Sequence, residues 1–354
     1  MIKDVTIDNF KGIKHCSIDQ LAQINLFVGK NNSCKSTILE GIYYCLKEMG
    51  DSKLGQIFRS RTNVFAGMSE LWYNYAKEKD TIGVCIGFQD SELKLDVTFS
   101  DEEKRIICIL KILDKAASPA WRALPPSLYY ADFSVLRAIK YQDYASVPSH
   151  VIGEIKDYVR GCLFIEGSAK TDVSSIEHLL GTFKSKGMTR IFGEYLSTIF
   201  GQGLEWEFLP SIDRPTEFHA ATYVNGAPLF ISGLGDGMRY ALQIVGNVML
   251  SKNTGIFIEE IESNQHPASL GKLIPFLVKL SKENNLQVFI TTQSISLAWG
   301  YFEKEFTPKE REEYFRCFAI ERDMKTGLVT CTPQSKEDQT KWDSSIHKEL
   351  YGNH

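Results

Sequence analysis

Long apolar runs, an excess of positive charge and paired cysteines are all missing from this chain of 354 residues. No stretch of 18 uncharged apolar residues occurs, and the opening MIKDVTIDNFKGIKH alternates apolar and polar residues where a signal peptide would carry an apolar block. Both absences argue against a secreted or membrane-spanning protein, and the expected location is the cytoplasm. The formal net charge is -4, so no overall positive field draws in nucleic acid or an anionic membrane, and any such contact has to be a local patch. The eight cysteines (16, 34, 45, 85, 108, 162, 317 and 331) include no C-x-x-C pair and lie mostly within apolar runs. They read as reduced core residues. Internal repeats and low-complexity segments are lacking as well.

What is present is enough for a large core. Hydrophobic residues make up 43% of the chain, which fits one large domain or two of ordinary size. Residues 2–9 alternate like an edge strand, and INLFVG (24–29) is a short apolar run of the buried-strand kind. From Ser36 to about Met49, Ile38, Leu39, Ile42, Tyr43 and Leu46 recur at helical spacing. Segments 81–89, 93–99 and 105–112 look like strands of an antiparallel layer beside the main sheet. Between about 134 and 200, SVLRAIKYQDYA, HVIGEIKDYVRGCLFIEG and IEHLLGTFKSKGMTRIFGEYLSTIFG read as helices joined by glycine-marked turns. Strands and helices then alternate to a final hairpin that turns at Lys325 to Gly327. The expected division is 1–130 and 204–335 as two parts of one α/β head, 131–203 as an inserted helical lobe, and 336–354 as a polar tail.

The stretch VGKNNSCKST, 28–37, fits the phosphate-loop pattern G-x-x-x-x-G-K-[ST] at Gly29, Lys35 and Ser36, with Cys34 in place of the second glycine. That relaxed pattern arises by chance about 0.2 times in a chain of this length, so the context decides. A buried strand precedes the loop and a helix follows it, which is the context a phosphate cradle requires. Far downstream, Ile256, Phe257 and Ile258 lead into Glu259 and Glu260. A buried strand ending in two carboxylates sets them at the sheet edge where α/β proteins bind ligands, one to hold the water shell of Mg²⁺ and one to orient a water. The alternative is that the two glutamates merely open a solvated helix. Before them, Gly233, Gly235, Asp236 and Gly237 precede an apolar helix and present backbone N–H groups to an anion. After them, VFITTQS ends a buried strand in Thr291, Thr292 and Gln293.

This series resembles the ABC-type ATPases of the RecF, SMC and OLD (overcoming lysogenization defect) group, on the residues IDNFKGIK with the 29–37 loop and on 229–294. The resemblance implies a P-loop NTPase fold with an ABC-ATPase-like head, a mixed sheet plus an antiparallel β layer. It implies ATP and Mg²⁺ as ligands, cradled by the backbone of Gly29, Lys30, Asn31, Asn32, Ser33, Cys34, Lys35, Ser36 and Thr37. Lys35 and Ser36 would bind phosphate and metal, Glu259 would be the metal-holding acid, Glu260 the general base and Gln293 the switch residue. Ser232 and Gly235 would complete the site of a second subunit, Lys11 would lie beside the nucleotide, and His266–Pro267 matches the pair that follows the acidic strand in OLD-like members.

Three positions depart from the family pattern of Gly at 34, Asp at 259 and His at 293. Cys34 keeps its N–H, yet a Cβ at positive φ costs about 1–2 kcal/mol. Glu259 adds a methylene, and Gln293 cannot take up positive charge as His can. The expectation is therefore a slow ATPase that dimerises, or forms a higher homo-oligomer, around ATP. It would act as a switch in DNA repair or antiphage defence, with a separate nuclease or toxin partner, because the polar tail leaves no room for the Toprim nuclease that OLD-like relatives often carry. A nucleotide-stabilised protein scaffold with little or no hydrolysis is the alternative, and a P-loop kinase ranks third. Lys184, Lys186 and Arg190 form a candidate contact for DNA phosphates. The Cys34 thiol at a helix N-terminus is either an oxidation-sensitive group or a filler of a small gap.

Overall fold

The fold follows from strands that are apolar on both sides. In a computed structural model, residues 1–50, 71–75, 80–100, 105–115, 121–124, 126–130, 135–137, 149–167, 173–200, 205–211, 214, 216–224 and 226–335 are described. The chain starts with β1 (Asp4–Phe10), β2 (Ile13–Ile18) and β3 (Ile24–Val28), followed by α1 (Lys35–Gly50). Next come β4 (Ile82–Gly87), β5 (Ser91–Ser100), β6 (Arg105–Asp114) and the short β7 (Arg122–Ala123), β8 (Ser127–Tyr130) and β9 (Val135–Arg137). The middle holds α2 (Ser149–Arg160), β10 (Leu163–Ile165), α3 (Val173–Ser185) and α4 (Thr189–Phe200). A three-stranded antiparallel sheet of β11 (Trp206–Pro210), β12 (Phe218–Val224) and β13 (Ala227–Phe230) precedes α5 (Asp236–Leu250). The remaining elements are β14 (Gly255–Ile258), α6 (Pro267–Glu283), β15 (Gln287–Thr292), α7 (Pro308–Tyr314), β16 (Phe315–Arg322) and β17 (Leu328–Pro333).

One continuous mixed sheet of 14 strands runs β10-β14-β15-β3-β16-β17-β2-β1-β4-β5-β6-β8-β9, with β7 also paired to β6. Its first five strands are parallel neighbours. Every residue of β3, β14 and β15 is buried, as expected of parallel strands covered on both faces. Side-chain alternation splits these strands between two cores. Phe27, Phe257, Phe289 and Phe318 face α1 and α2, whereas Leu26, Ile256, Ile258, Val288 and Ile290 face α3 to α6. The ring pairs Phe257–Phe289 and Phe27–Phe318 stack at centroid distances of 4.8 and 5.6 Å, tying neighbouring strands together.

The antiparallel strands are not a detached layer. They continue the parallel half through the pairing of β17 with β2, and α1 packs across the join against β1 and β4. At the other end of the parallel strands, Gln287 closes a buried polar network. Its Oε1 accepts from Ile2 N (2.7 Å) and Tyr158 Oη (2.8 Å), while Nε2 donates to the carbonyls of Ile2 and Ala22, both at 2.8 Å. All four hydrogen-bonding positions are used, so the N-terminal segment is pinned to the sheet.

Two sequence expectations change. The helices at 149–160, 173–185 and 189–200 are present, but they do not stand apart as a lobe. Ile155 and Val159 join the core of α1, Leu179 and Phe183 pack with α5, and β10 extends the parallel sheet beside β14. Their apolar faces have a sheet to cover, which periodicity alone cannot reveal. Within the helix expected at 134–145, Val135–Arg137 is a strand paired with β8, and 138–148 lie outside the described residues, as does the tail 336–354. Among the described residues no helix is long and apolar enough to cross a membrane.

Candidate active site

Three adjacent parallel strands end on one edge of the sheet. Ile258, Ile290 and Leu26 are in register across β14, β15 and β3, so the segments that follow them emerge level with one another. The loop 29–34 follows β3, the acidic turn follows β14, and Gln293 follows β15. With strands about 4.8 Å apart, the loop and the acidic turn are separated by about 10 Å, with Gln293 between them.

Loop geometry begins at Gly29, which lies against the neighbouring strand. A Cβ there would sit 2.5 Å from the Ile320 carbonyl and 2.7 Å from Ser33 Oγ, so no other residue fits. Asn32 and Cys34 both adopt positive φ, 66° and 72°. Two left-handed residues curl the backbone so that its N–H groups turn inward ahead of α1, the nest that suits an anion. Ser33 Oγ is buried there without a hydrogen-bond partner. Lys35 is buried, and its Nζ donates to the carbonyls of Gly29 (2.7 Å) and Lys30 (2.9 Å). Burial pushes the Lys35 ammonium below its ordinary range, while Glu260 and then Glu262 pull it upward. The lysine near the front of the chain and the distant acidic turn thus share one electrostatic neighbourhood.

In that turn the strand ends at Ile258, two residues earlier than the sequence pattern implies. Glu259 is buried; its N–H donates to the Ile165 carbonyl at 2.9 Å and its own carbonyl accepts from Tyr240 Oη at 2.5 Å. Burial, with Glu259, Glu262 and Glu260 nearby, holds the Tyr240 phenol protonated and therefore a donor. Glu260 stands at φ 47°, its N–H bonded to Thr291 Oγ1 at 2.9 Å. Its carboxylate accepts from Gln293 Nε2 at 3.0 Å and from Ser263 Oγ at 3.3 Å. The general-base and switch candidates are therefore in direct contact.

Sequence reasoning missed Glu262. Its Oε1 accepts from Thr292 Oγ1 (2.8 Å) and from the Gln293 N–H (2.7 Å), which fixes the end of β15, while Oε2 is buried without a partner. The signal was a third glutamate within four residues of a buried strand end.

Other candidates fall elsewhere. Ser232 and Gly235 are exposed, and a Cβ on Gly235 would meet nothing within 4 Å. Gly237, at the start of α5, packs so closely on the Asn264 carbonyl that a methyl would collide, and its own carbonyl accepts from Gln265 Nε2 at 2.6 Å. Those contacts couple α5 to the acidic turn. Lys11 precedes Gly12, which lies against Cys34 of the loop, and its ammonium pairs with Glu40 of α1, 5.6 Å from the Phe10 ring. His266 caps α6, accepting from Ala268 N at 3.2 Å, with Pro267 in the first turn. In the basic patch, Arg190 pairs with Glu194 at 3.2 Å and Lys184 sits 5.6 Å over Phe208, so two of its three charges are already engaged.

Cys34 is half-buried against the core of α1, and burial raises its thiol above the ordinary range, outweighing Arg322 and Lys35. The activated-thiol expectation is thereby corrected. A thiol held protonated is a poor nucleophile and a good space-filler. Its φ of 72° carries the strain anticipated for a side chain in the left-handed region. Cys34→Gly is expected to raise nucleotide affinity by about tenfold, the equivalent of ~1.4 kcal/mol. Calorimetry checks this, and an unchanged affinity would show that the strain is relieved in some other way.

A nest at a strand–helix junction, a buried lysine within it and glutamates on a neighbouring parallel strand together describe a P-loop NTPase site. Comparison with known proteins agrees: residues 1–146 match the family described as AAA_15, AAA ATPase domain. Over 332 residues the chain is 20% identical to an ATP/GTP phosphatase of Helicobacter pylori, covering 83% of this chain and 85% of the other. A 42-residue stretch is 48% identical to an uncharacterized protein of Methanocaldococcus jannaschii, covering 12% of this chain and 19% of that one. Among solved structures, an SMC head bound to the C-terminal winged-helix domain of ScpA superposes with a TM-score of 0.50 at 14% identity, over 96% of this chain and 99% of that one. Residues 1–146 are thus similar to an AAA ATPase domain, and the fold of the chain is similar to that of an SMC head.

Proposed function

We propose that this head binds Mg²⁺·ATP, closes a homodimer around it, hydrolyses it slowly and serves as a switch in DNA repair or antiphage defence. A separate nuclease or toxin protein would be its effector. The observation that carries the reading is the register of β14, β15 and β3, which brings the loop leading to Lys35, the Glu259–Glu260 turn and Gln293 to one edge of the sheet. Lys35 would leave the loop carbonyls for the β- and γ-phosphates, and the N–H groups of Asn31 to Thr37 would cradle the chain. Ser36 and Glu259 offer hard oxygen donors of the kind Mg²⁺ takes, with phosphate and water filling its remaining positions. Bound there, the cation would neutralise charge on the phosphates. Glu260 would accept a proton from the water that attacks the γ-phosphorus, and the bond to ADP would break.

The exposed Ser232 and Gly235 sit at the start of α5, where a second copy would present them to this nucleotide. The name of the Helicobacter relative supports nucleoside triphosphate hydrolysis, and the ScpA-bound SMC head is an example of such a head carrying a separate protein. Strain at Cys34 and the neutral Gln293 favour a low rate. The same features favour the scaffold reading, in which ATP holds the dimer and is hardly consumed.

Multiple-turnover phosphate release with and without DNA tests the proposal. The expected rate is below about 1 s⁻¹, the lower edge of ordinary enzymes, and rises with DNA. ATP-dependent dimers that release no phosphate in either condition would replace the switch by the scaffold. A basal rate well above that limit contradicts both.

A further inference from the structure

Glu260 carries its carboxylate from a backbone conformation that residues with side chains rarely adopt. At φ 47° it stands in the left-handed region, immediately after the buried Glu259 at the end of β14. A residue with a Cβ is costly there, and it persists only where its surroundings over-determine it. The turn meets that condition. Every backbone polar group from the Glu259 N–H to the Ile261 N–H has a partner. The Glu259 N–H donates to the Ile165 carbonyl of β10 at 2.9 Å, the Glu260 carbonyl accepts from Ser263 N at 2.7 Å, and the Ile261 N–H donates to the Thr291 carbonyl at 3.3 Å.

The peptide that joins Glu259 to Glu260 is held from both sides. Its oxygen accepts from Tyr240 Oη of α5 at 2.5 Å, and its N–H donates to Thr291 Oγ1 of β15 at 2.9 Å. Tyr240 is 2% exposed and Thr291 is fully buried, so neither bond competes with bulk water. Gly167, just beyond β10, backs the same peptide: a Cβ there would come within 2.3 Å of the Glu259 oxygen and 3.1 Å of Glu260 Cβ. A turn of this plane changes ψ of Glu259 and φ of Glu260 together. With one hydroxyl gone the plane is released, Glu260 can leave the left-handed region, and the direction in which its side chain projects changes with it.

We propose that Tyr240 and Thr291 are positioning residues for hydrolysis, their hydroxyls locking the Glu259–Glu260 peptide so that the Glu260 carboxylate is aimed at the attacking water. The inference rests on Glu260 being the general base and deepens that reading, since it names residues of two other elements through which the base is placed. A base must stand within hydrogen-bond reach of the proton it takes, so a displacement of about 1 Å is enough to lower the rate severely. The helix that delivers Tyr240 is itself fixed to the turn it serves, through the packing of Gly237 on the Asn264 carbonyl.

Tyr240→Phe removes one hydroxyl and keeps the buried ring; Thr291→Val removes the other and keeps the shape of the side chain. Each is expected to lower ATP hydrolysis at least about tenfold in single-turnover assays, while calorimetry finds Mg²⁺·ATP affinity within about twofold of wild type. Thr291→Ser restores a hydroxyl and should recover most of the lost rate. The decisive comparison is made in the Glu260→Gln background, where no base is left to aim: adding Tyr240→Phe or Thr291→Val should change the residual rate by less than about threefold. A merely structural hydroxyl would cost the same factor in both backgrounds. Wild-type hydrolysis by either variant, equal losses of rate and affinity, or an undiminished loss in the Glu260→Gln background overturns the assignment. Wild type that binds ATP without hydrolysing it, or Glu260→Gln that hydrolyses as wild type does, overturns instead the reading of Glu260 on which it rests.

Discussion

Glu260→Gln is expected to cut multiple-turnover ATP hydrolysis by about 10²–10⁴-fold, the usual contribution of a general base, and to accumulate an ATP-bound dimer. The substitution keeps the size of the side chain and its ability to bond Gln293 and Ser263, so the turn should hold its shape. What it removes is the carboxylate that, in the proposed reaction, would take the proton from water. The proposed closure around ATP would use the loop, the cation and the exposed Ser232–Gly235 segment, none of which depends on that proton transfer. Size-exclusion chromatography with Mg²⁺·ATP should show the variant as a dimer that persists after wild type has returned to monomer. A variant that stays monomeric in saturating ATP sinks the two-subunit site, whatever its rate of hydrolysis.

The second large effect is on binding. Lys35→Met is expected to weaken Mg²⁺·ATP by about 100-fold or more, the scale of losing one partner of a buried charge pair, with thermal stability close to wild type. Stability is spared for a specific reason. Because burial holds the Lys35 ammonium below its ordinary range, the folded chain carries a desolvation cost at neutral pH. That cost fades as pH rises through the lowered folded value and is gone above the ordinary lysine value of 10.5, where the side chain is neutral in both states. Methionine removes the cost at every pH, while leaving the Gly29 and Lys30 carbonyls without their donor, and the two changes oppose each other. Calorimetry for affinity and a thermal melt for stability separate the outcomes. Equal loss in both would mean that Lys35 is a structural lysine, and the nucleotide reading of the loop would fall with it.

The strands that position the candidate site were legible in the sequence, because each is built on a short apolar run. INLFV, GIFI and QVFITT are apolar throughout and become the three wholly buried strands; the residues following each are the loop, the acids and Gln293. Lys35 and Glu260 could be matched because each follows such a strand, and their proximity is then a consequence of parallel pairing. Glu262 was not legible, since its hydrogen bonds to Thr292 and Gln293 join two strand ends that are far apart along the chain. The pairing of Lys11 with Glu40 of the facing helix was likewise not legible, since it joins a strand turn to a helix 29 residues on.

Sequence alone determined the elements and the residue types at their ends, because burial and period are local properties of a chain. Tertiary structure decided which strands are neighbours, and with it that helices 149–200 cover the sheet, that β16 lies beside β3 and the loop, and that burial keeps Cys34 protonated. Those outcomes depend on which surfaces exclude water from one another, and that is settled only when the whole sheet has assembled.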